Sequence, residues 1–162
     1  ASQARNMLQT VMPTLLSSYT LSVERPVVQV YEGVEGLKKI YLDTIEENQP
    51  LFSFLQTAEV DPELFAWLTT TYVKKRAQAK IHAKVIVATG DWSIDYTKRD
   101  VEEFRTTKVV DSVKFPFQHE VIIYGGKVAF VNYKKGEALI GIIINQATIA
   151  TTMKAIFDMA WE

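Results

Sequence analysis

Apolar residues near the start of the chain recur every three or four positions: Met7, Leu8, Val11, Met12, Leu15, Leu16 and Tyr19. That period predicts an amphipathic helix, which Pro13 should kink or restart. Its stripe needs a partner, either the rest of its own domain or a second copy across a dimer. The run from Ser22 to Pro26 breaks the pattern, and Val27, Val28, Val30 and Tyr31 read as a strand of β-branched and aromatic residues. Gly33 turns the chain into a helix carrying Val34, Leu37, Ile40, Tyr41 and Thr44, the expected first half of a parallel βαβ unit.

Leu51 to Leu55, bounded by Asn48-Gln49-Pro50, is short and apolar and reads as a buried strand. Asp61 is placed to cap the next helix and Pro62 suits its first position. Leu64, Phe65, Leu68 and Tyr72 form its expected buried stripe, and Lys74-Lys75-Arg76 complement the dipole at its end. Further strands are expected at Ile81 to Ala88, Thr107 to Val110, Val121 to Tyr124, Lys127 to Val131 and Leu139 to Ile144. Gly125-Gly126 between two of them signals a hairpin, because both positions tolerate positive φ. The last helix should bury Ile149, Met153, Ile156, Phe157 and Ala160, with Trp161 beside them. Alternating βα units followed by consecutive strands imply an α/β fold, a mixed β-sheet flanked by helices.

Composition then narrows the function. The 162 residues are 48 % hydrophobic and 23 % charged, enough for one domain with a proper core. A net charge of −1 and a pI near 6.2 provide no basic field for nucleic acid. The absence of cysteine excludes a disulfide scaffold, a zinc ribbon and a thiol nucleophile, and points to the cytoplasm. No apolar run is long enough for a membrane span, and no signal-peptide pattern leads the chain. Because it begins at Ala1, the chain is expected to be cut from something longer, with tag removal or methionine processing as plain alternatives.

Chemical motifs are scarce. With two histidines and no HxxxH, HExxH or cysteine pair, no metal and no cofactor are expected. Nucleotide and serine-hydrolase signatures are missing too. His82-Ala83-Lys84 matches the opening of HxKxxxxD, in which histidine attacks phosphorus and lysine holds the phosphate charge, but the eighth position is Thr89. A packed or surface histidine is the better reading.

Three longer stretches resemble the sensor domains of TrmB-like transcriptional regulators, relatives of the phospholipase D fold. RPVVQVYEGVEGLKKIYLDTIEE from Arg25 is similar to their entry, FRTTKVVDSVKFPFQHEVIIYGGKVAFVN to their arginine-bearing strand and glycine turn, and IIINQATIATTMKAIFDMAWE to their closing strand and helix. The resemblance spans roughly residues 25–162. It implies a phospholipase D-like fold preceded by an N-terminal linker helix, with residues 1–21 the linker or dimerisation helix and 22–162 the sensor domain. It also places the enzyme signature at His119, with Val121 where the lysine should be, Gly126 where the aspartate should be, and Tyr133-Lys134 in place of Gly-Ser. Without the lysine, nothing fixed neutralises charge on a transferred phosphoryl group, so catalytic inactivity is expected.

What the resemblance implies is transcription regulation: a cytoplasmic homodimer that binds a small polar effector such as a sugar and reaches DNA only through a winged helix missing from this chain. Aromatic, acidic and amide groups suit such a ligand, and Tyr31, Glu32, Trp92, His119 and Glu120 can supply them. Tyr31, Glu32 and His119 come first, because ligands favour strand ends in α/β sheets. The rivals are a structural dimerisation domain without effector and, less favoured, a phosphodiesterase.

Overall fold

A computed structural model describes residues 3–7, 9, 11–13, 27–56, 58–90 and 93–162. Seven strands form one mixed sheet: β1 (Val28–Glu32), β2 (Leu51–Leu55), β3 (Ala83–Ala88), β4 (Arg105–Val110), β5 (Glu120–Tyr124), β6 (Lys127–Asn132) and β7 (Ile140–Asn145). Their spatial order is β1-β7-β6-β5-β2-β3-β4. β2, β3 and β4 run parallel, and every other neighbouring pair is antiparallel. The helices are α1 (Gly33–Glu47), α2 (Pro62–Trp67), a π-helical turn at Leu68–Tyr72, α3 (Val73–Gln78), α4 (Ser93–Lys98) and α5 (Ala147–Trp161).

The expected βαβ unit is split. β1 and β2 point the same way and α1 joins them, but β7, β6 and β5 lie between them. Local periodicity sees the helical crossover and not the strands inserted later in the chain. The glycine hairpin matches its expectation: Tyr124 pairs with Lys127 across a two-residue turn, with Gly125 at φ 58°. Asp61 caps α2 by accepting from the Glu63 and Leu64 amides, each at 3.1 Å, with Pro62 directly after it.

Two cores sandwich the sheet. Leu37, Ile40, Tyr41, Leu64 and Tyr72 cover one face over Val85, Val87, Ile122, Ala129 and Ile143. Ala150 and Phe157 of α5 cover the other over Phe54, Ile86, Ile123 and Val128. The buried stripe of α5 is Ala150, Met153, Phe157 and Trp161, whereas Ile149, Ile156, Met159 and Ala160 are exposed. The stripe expected from sequence was thus rotated by about one position, because Ile149, Ile156 and Ala160 flank the face that packs on the sheet rather than forming its centre. Trp161 stacks on Phe157 at 5.8 Å, and the Lys108 ammonium donates to the carbonyls of Ala160, Trp161 and Glu162, closing the helix.

Lys75 and Arg76 stand in the last turn of α3 as expected, but Arg76 does more than face the helix end. Arg76 is buried and donates to the carbonyls of Ile81 (2.9 Å), Phe104 (3.0 Å) and Glu103 (2.7 Å). It ties α3 to the turns before β3 and β4, so its main task is to satisfy buried carbonyls rather than a helix dipole. At the start of the chain, residues 3–7, 9 and 11–13 are helical, and Met7, Val11 and Met12 are exposed. Leu8, Leu15, Leu16 and Tyr19 lie outside the described residues. No described helix is long and apolar enough to cross a membrane.

Helix α1 sits close over β7 because Gly141 has no side chain; a Cβ there would collide with Ile40 Cδ1 and meet Leu37 Cδ2 at 3.0 Å. Gly141→Val should therefore cost about 1–3 kcal/mol through overpacking. A lowered midpoint in urea unfolding is the expected result, and an unchanged midpoint would show that α1 can shift freely.

Candidate functional site

Beside the C-terminal end of β2, a cavity of about 250 Å³ lies on the α1 face of the sheet. Tyr41 comes from α1, Leu55 from β2 and Glu120 from the first position of β5. Phe65 and the π-helical turn supply an opposite wall with Leu68, Thr69 and Tyr72, while Asp95, Tyr96 and Arg99 belong to α4 and its end. A smaller chamber of about 70 Å³ adjoins it, sharing Tyr41, Tyr72, Tyr96 and Glu120 and reaching Ser53, Arg76 and Arg105.

The π-helical turn follows from Thr69 and Thr70, whose hydroxyls donate back to the Phe65 (2.9 Å) and Ala66 (2.6 Å) carbonyls and loosen the α-helical ladder. Leu68, Thr69, Tyr72 and Val73 line the cavity as a result. Tyr72 meets Tyr41 edge-on at 5.1 Å and shares a 2.6 Å hydrogen bond with Thr44.

Glu120 is the chemical centre. Its carboxyl oxygens accept from Tyr41 OH at 2.6 Å and Ser53 Oγ at 2.8 Å. Burial nonetheless raises its pKa to about 7, because the two hydrogen bonds and the more distant Arg76 charge do not offset lost hydration. Burial also raises the Tyr41, Tyr96 and Tyr133 phenols and pushes Tyr72 up to about 12, so these hydroxyls stay protonated near neutrality.

The neighbouring arginines are all engaged. Arg105 donates to Asp100 Oδ1 (2.9 Å), to the Glu103 carboxylate and to the Tyr96 carbonyl (2.6 Å), and its guanidinium lies 3.5 Å from the Tyr96 ring centre. Arg99 pairs with Glu103 at 3.2 Å.

The residues favoured from sequence do not converge. Tyr31 is half-buried on the α1 face and donates to Gln29 Oε1 at 2.9 Å; Glu32 is exposed and its side chain caps nothing. His119 is exposed just before β5. Register runs from Tyr31 through Gly141 and Val131 to Glu120, so three strand spacings, roughly 14 Å, separate Tyr31 from Glu120. Trp92 lies outside the described residues. Glu120 alone of the acidic and aromatic candidates lines the cavity, one residue from His119 and on the opposite face from Val121, which packs under α5. Tyr41, Tyr72, Tyr96, Arg105 and Tyr133 come from six separate segments together with Glu120, and no spacing rule links them. Tyr41 and Tyr72 were visible only as members of buried stripes. Among the described residues, no group of acidic or histidine side chains is placed to hold a metal ion. His82 Nε2 and Thr106 Oγ1 are 3.0 Å apart on the sheet surface, and burial lowers the imidazole pKa.

This architecture is a phospholipase D-like fold. Nuc from Salmonella typhimurium, a phospholipase D family member, matches it with a TM-score of 0.60 and 18 % identity over 83 % of this chain and 93 % of its own. NucT from Helicobacter pylori gives 0.52 and 10 % over 82 % and 93 %. TrmBL2, an archaeal chromatin protein with a novel mode of DNA binding, gives 0.52 and 14 % over 99 % of this chain. This chain spans 62 % of the TrmBL2 chain. No protein-family model matches the sequence, and no curated protein does. The likeness is to the TrmB-like and phospholipase D-like group at the level of fold.

The raised Glu120 pKa has a consequence for stability. Its folded-state value lies above that of the unfolded chain, so folding favours the proton and this contribution is lost as pH rises from about 4.5 to 7. Wild type should lose about 3 kcal/mol from this group between pH 4.5 and 8, a loss that Glu120→Gln should remove. Urea unfolding at both pH values checks this, and parallel pH profiles in the two proteins would contradict it.

Proposed function

We propose that this chain is the ligand-sensing and dimerisation domain of a TrmB-like transcriptional regulator and is catalytically inactive. The observation that carries the reading is coverage. Nuc and NucT match little more than four-fifths of the chain, whereas TrmBL2 matches 99 % of it, a span that must include leading residues ahead of β1. In this reading the leading helix connects sensor to a winged helix that contacts DNA, and the protein works in the cytoplasm. The effector site is the Glu120 cavity, in place of the dispersed Tyr31, Glu32 and His119. Effector binding would act by favouring one of two arrangements of the leading helix, with a coupling of about 1–3 kcal/mol.

Inactivity rests on Val121. Where the enzyme signature requires a lysine beside the histidine, this strand presents an aliphatic side chain packed against the Phe54 cluster. Val121 itself cannot meet developing phosphoryl charge. Incubation with a chromogenic phosphodiester is expected to give background release only; turnover abolished by His119→Ala would overturn the reading.

Dimerisation draws support from apolar surface on the α5 side of the sheet. α5 covers the middle strands, leaving Val28 and Val30 of β1, Phe130 of β6 and Ile140 of β7 exposed on that same face. Ile149, Ile156 and Met159 add exposed apolar surface on α5 itself. Two copies joined through this surface would satisfy the two-fold symmetry that DNA regulators use. Light scattering at micromolar concentration should return twice the 18.4 kDa chain mass, and Val30→Glu with Ile156→Glu should halve it. A wild-type monomer would assign dimerisation to the rest of the regulator.

A further inference from the structure

We infer that the Glu120 cavity binds a small organic cation, an amine with an apolar or aromatic body, and that Glu120 is its counter-ion. This deepens the effector-sensing reading and takes from it only the identity of the cavity as the effector site.

Charge balance is the first argument. Three arginines surround the two chambers: Arg76, Arg99 and Arg105. Three carboxylates, Asp95, Asp100 and Glu103, match them, two of these in direct ion pairs with Arg99 or Arg105. Glu120 is the fourth carboxyl, and a proton is what keeps the cluster neutral. Among the described residues, no ammonium or guanidinium pairs with Glu120. An entering cation would restore the same balance with Glu120 ionised; an anion would add to an already complete set of negative groups.

Shape and surface chemistry agree. Tyr41, Phe65, Tyr72, Tyr96 and Tyr133 make the walls, and aromatic faces attract a cation at close range. Each Glu120 oxygen spends one acceptor site on Tyr41 or Ser53 and retains another. Asp95, exposed at the rim, supplies negative charge at the entrance. At about 250 Å³ the cavity is just below the usual 300–1,000 Å³ range of ligand pockets, which selects a small molecule. A sugar would match the hydroxyls but would leave the buried carboxyl without a charge partner.

Binding then carries a proton balance. Below neutrality Glu120 enters as the acid, the ammonium takes its place beside the carboxylate, and one proton leaves to solvent. The groups facing Glu120 are Tyr41 from α1, Ser53 from β2, Tyr72 from the π-helical turn, Arg76 from α3, Tyr96 from α4, Arg105 from β4 and Tyr133 after β6. The phenols stay protonated and the arginines charged across this range, so the released proton belongs to Glu120. Affinity should rise up to tenfold per pH unit below about 7 and level off above it.

Phenethylamine, 2-phenylethanol, 3-phenylpropionate and glucose separate the possibilities. Calorimetric titration of the whole chain at pH 6.0 and 8.5, each in two buffers of different ionisation enthalpy, should show phenethylamine binding best. Close to one proton should be released at pH 6.0 and almost none at 8.5. Glu120→Gln should abolish proton release and weaken the amine at least tenfold, and Asp95→Asn, at the exposed rim, should weaken it severalfold without disturbing the fold. Tighter binding of the alcohol, the carboxylate or glucose would sink the cation assignment and leave the sensor reading standing. No binding by any probe at 10 mM, together with no effect of a cavity-filling Val73→Phe on their thermal shifts, would sink both.

Discussion

A carboxyl group buried where the two halves of the sheet meet governs this structure. β2 pairs in parallel with β3 on one side and antiparallel with β5 on the other, and Glu120 opens β5 at that seam. Its bonds to Tyr41 and Ser53 join α1, β2 and β5 across separations of 79 and 67 residues. A buried carboxyl without such donors would be severely destabilising, so helix position, strand register and phenol orientation are all conditions for its presence. That a partly satisfied acid survives here, with its pKa raised to about 7, is what separates this cavity from an ordinary packing gap.

The opposite end of the parallel strands, where β4 begins, carries a cost of its own. Phe104 adopts a left-handed backbone, φ 53°, immediately before Arg105, a conformation unfavourable by about 1 kcal/mol for a residue with a Cβ. Arg76 holds the Phe104 carbonyl, and Arg105 is fastened by Asp100, Glu103 and Tyr96. Fixed arginines of this kind set a constant electrostatic background around Glu120. The other half of the molecule is built differently. Tyr124 and Lys127, on either side of the glycine turn, both reach Asp43 of α1, so the antiparallel hairpin is anchored to the helix that also carries Tyr41. Any ligand that moved Tyr41 would press on that anchor and on β1, next to the leading segment.

In the proposed reading, what separates this chain from an enzyme of the same fold is which strand face carries charge. Val121 points to the α5 face, where the neighbouring core is aliphatic and aromatic, while Glu120 points to the α1 face. Replacing a lysine by valine on one face removes a phosphate-handling cation. Placing a glutamate one position earlier on the other face creates an acidic cavity. Both changes leave the strand and its pairing intact.

Residue order alone determined the elements with strong local signals: Asp61-Pro62 at a helix start, Gly125-Gly126 at a hairpin, alternating β-branched runs in the strands. Those signals are steric and local, so neighbouring residues suffice to produce them. Glu120 was legible only as one polar residue among several, and nothing in the spacing singled it out. Tertiary structure decided the rest. Three strands from the end of the chain insert between β1 and β2, which puts Tyr31 roughly 14 Å from Glu120. Arg76, apparently a dipole partner, became a buried carbonyl clamp because turns distant in sequence converge on it. His119 lies in the bend just before β5 and outside the cavity, whereas Glu120, the next residue, is buried and lines it, and only the packing of β5 separates these two neighbours.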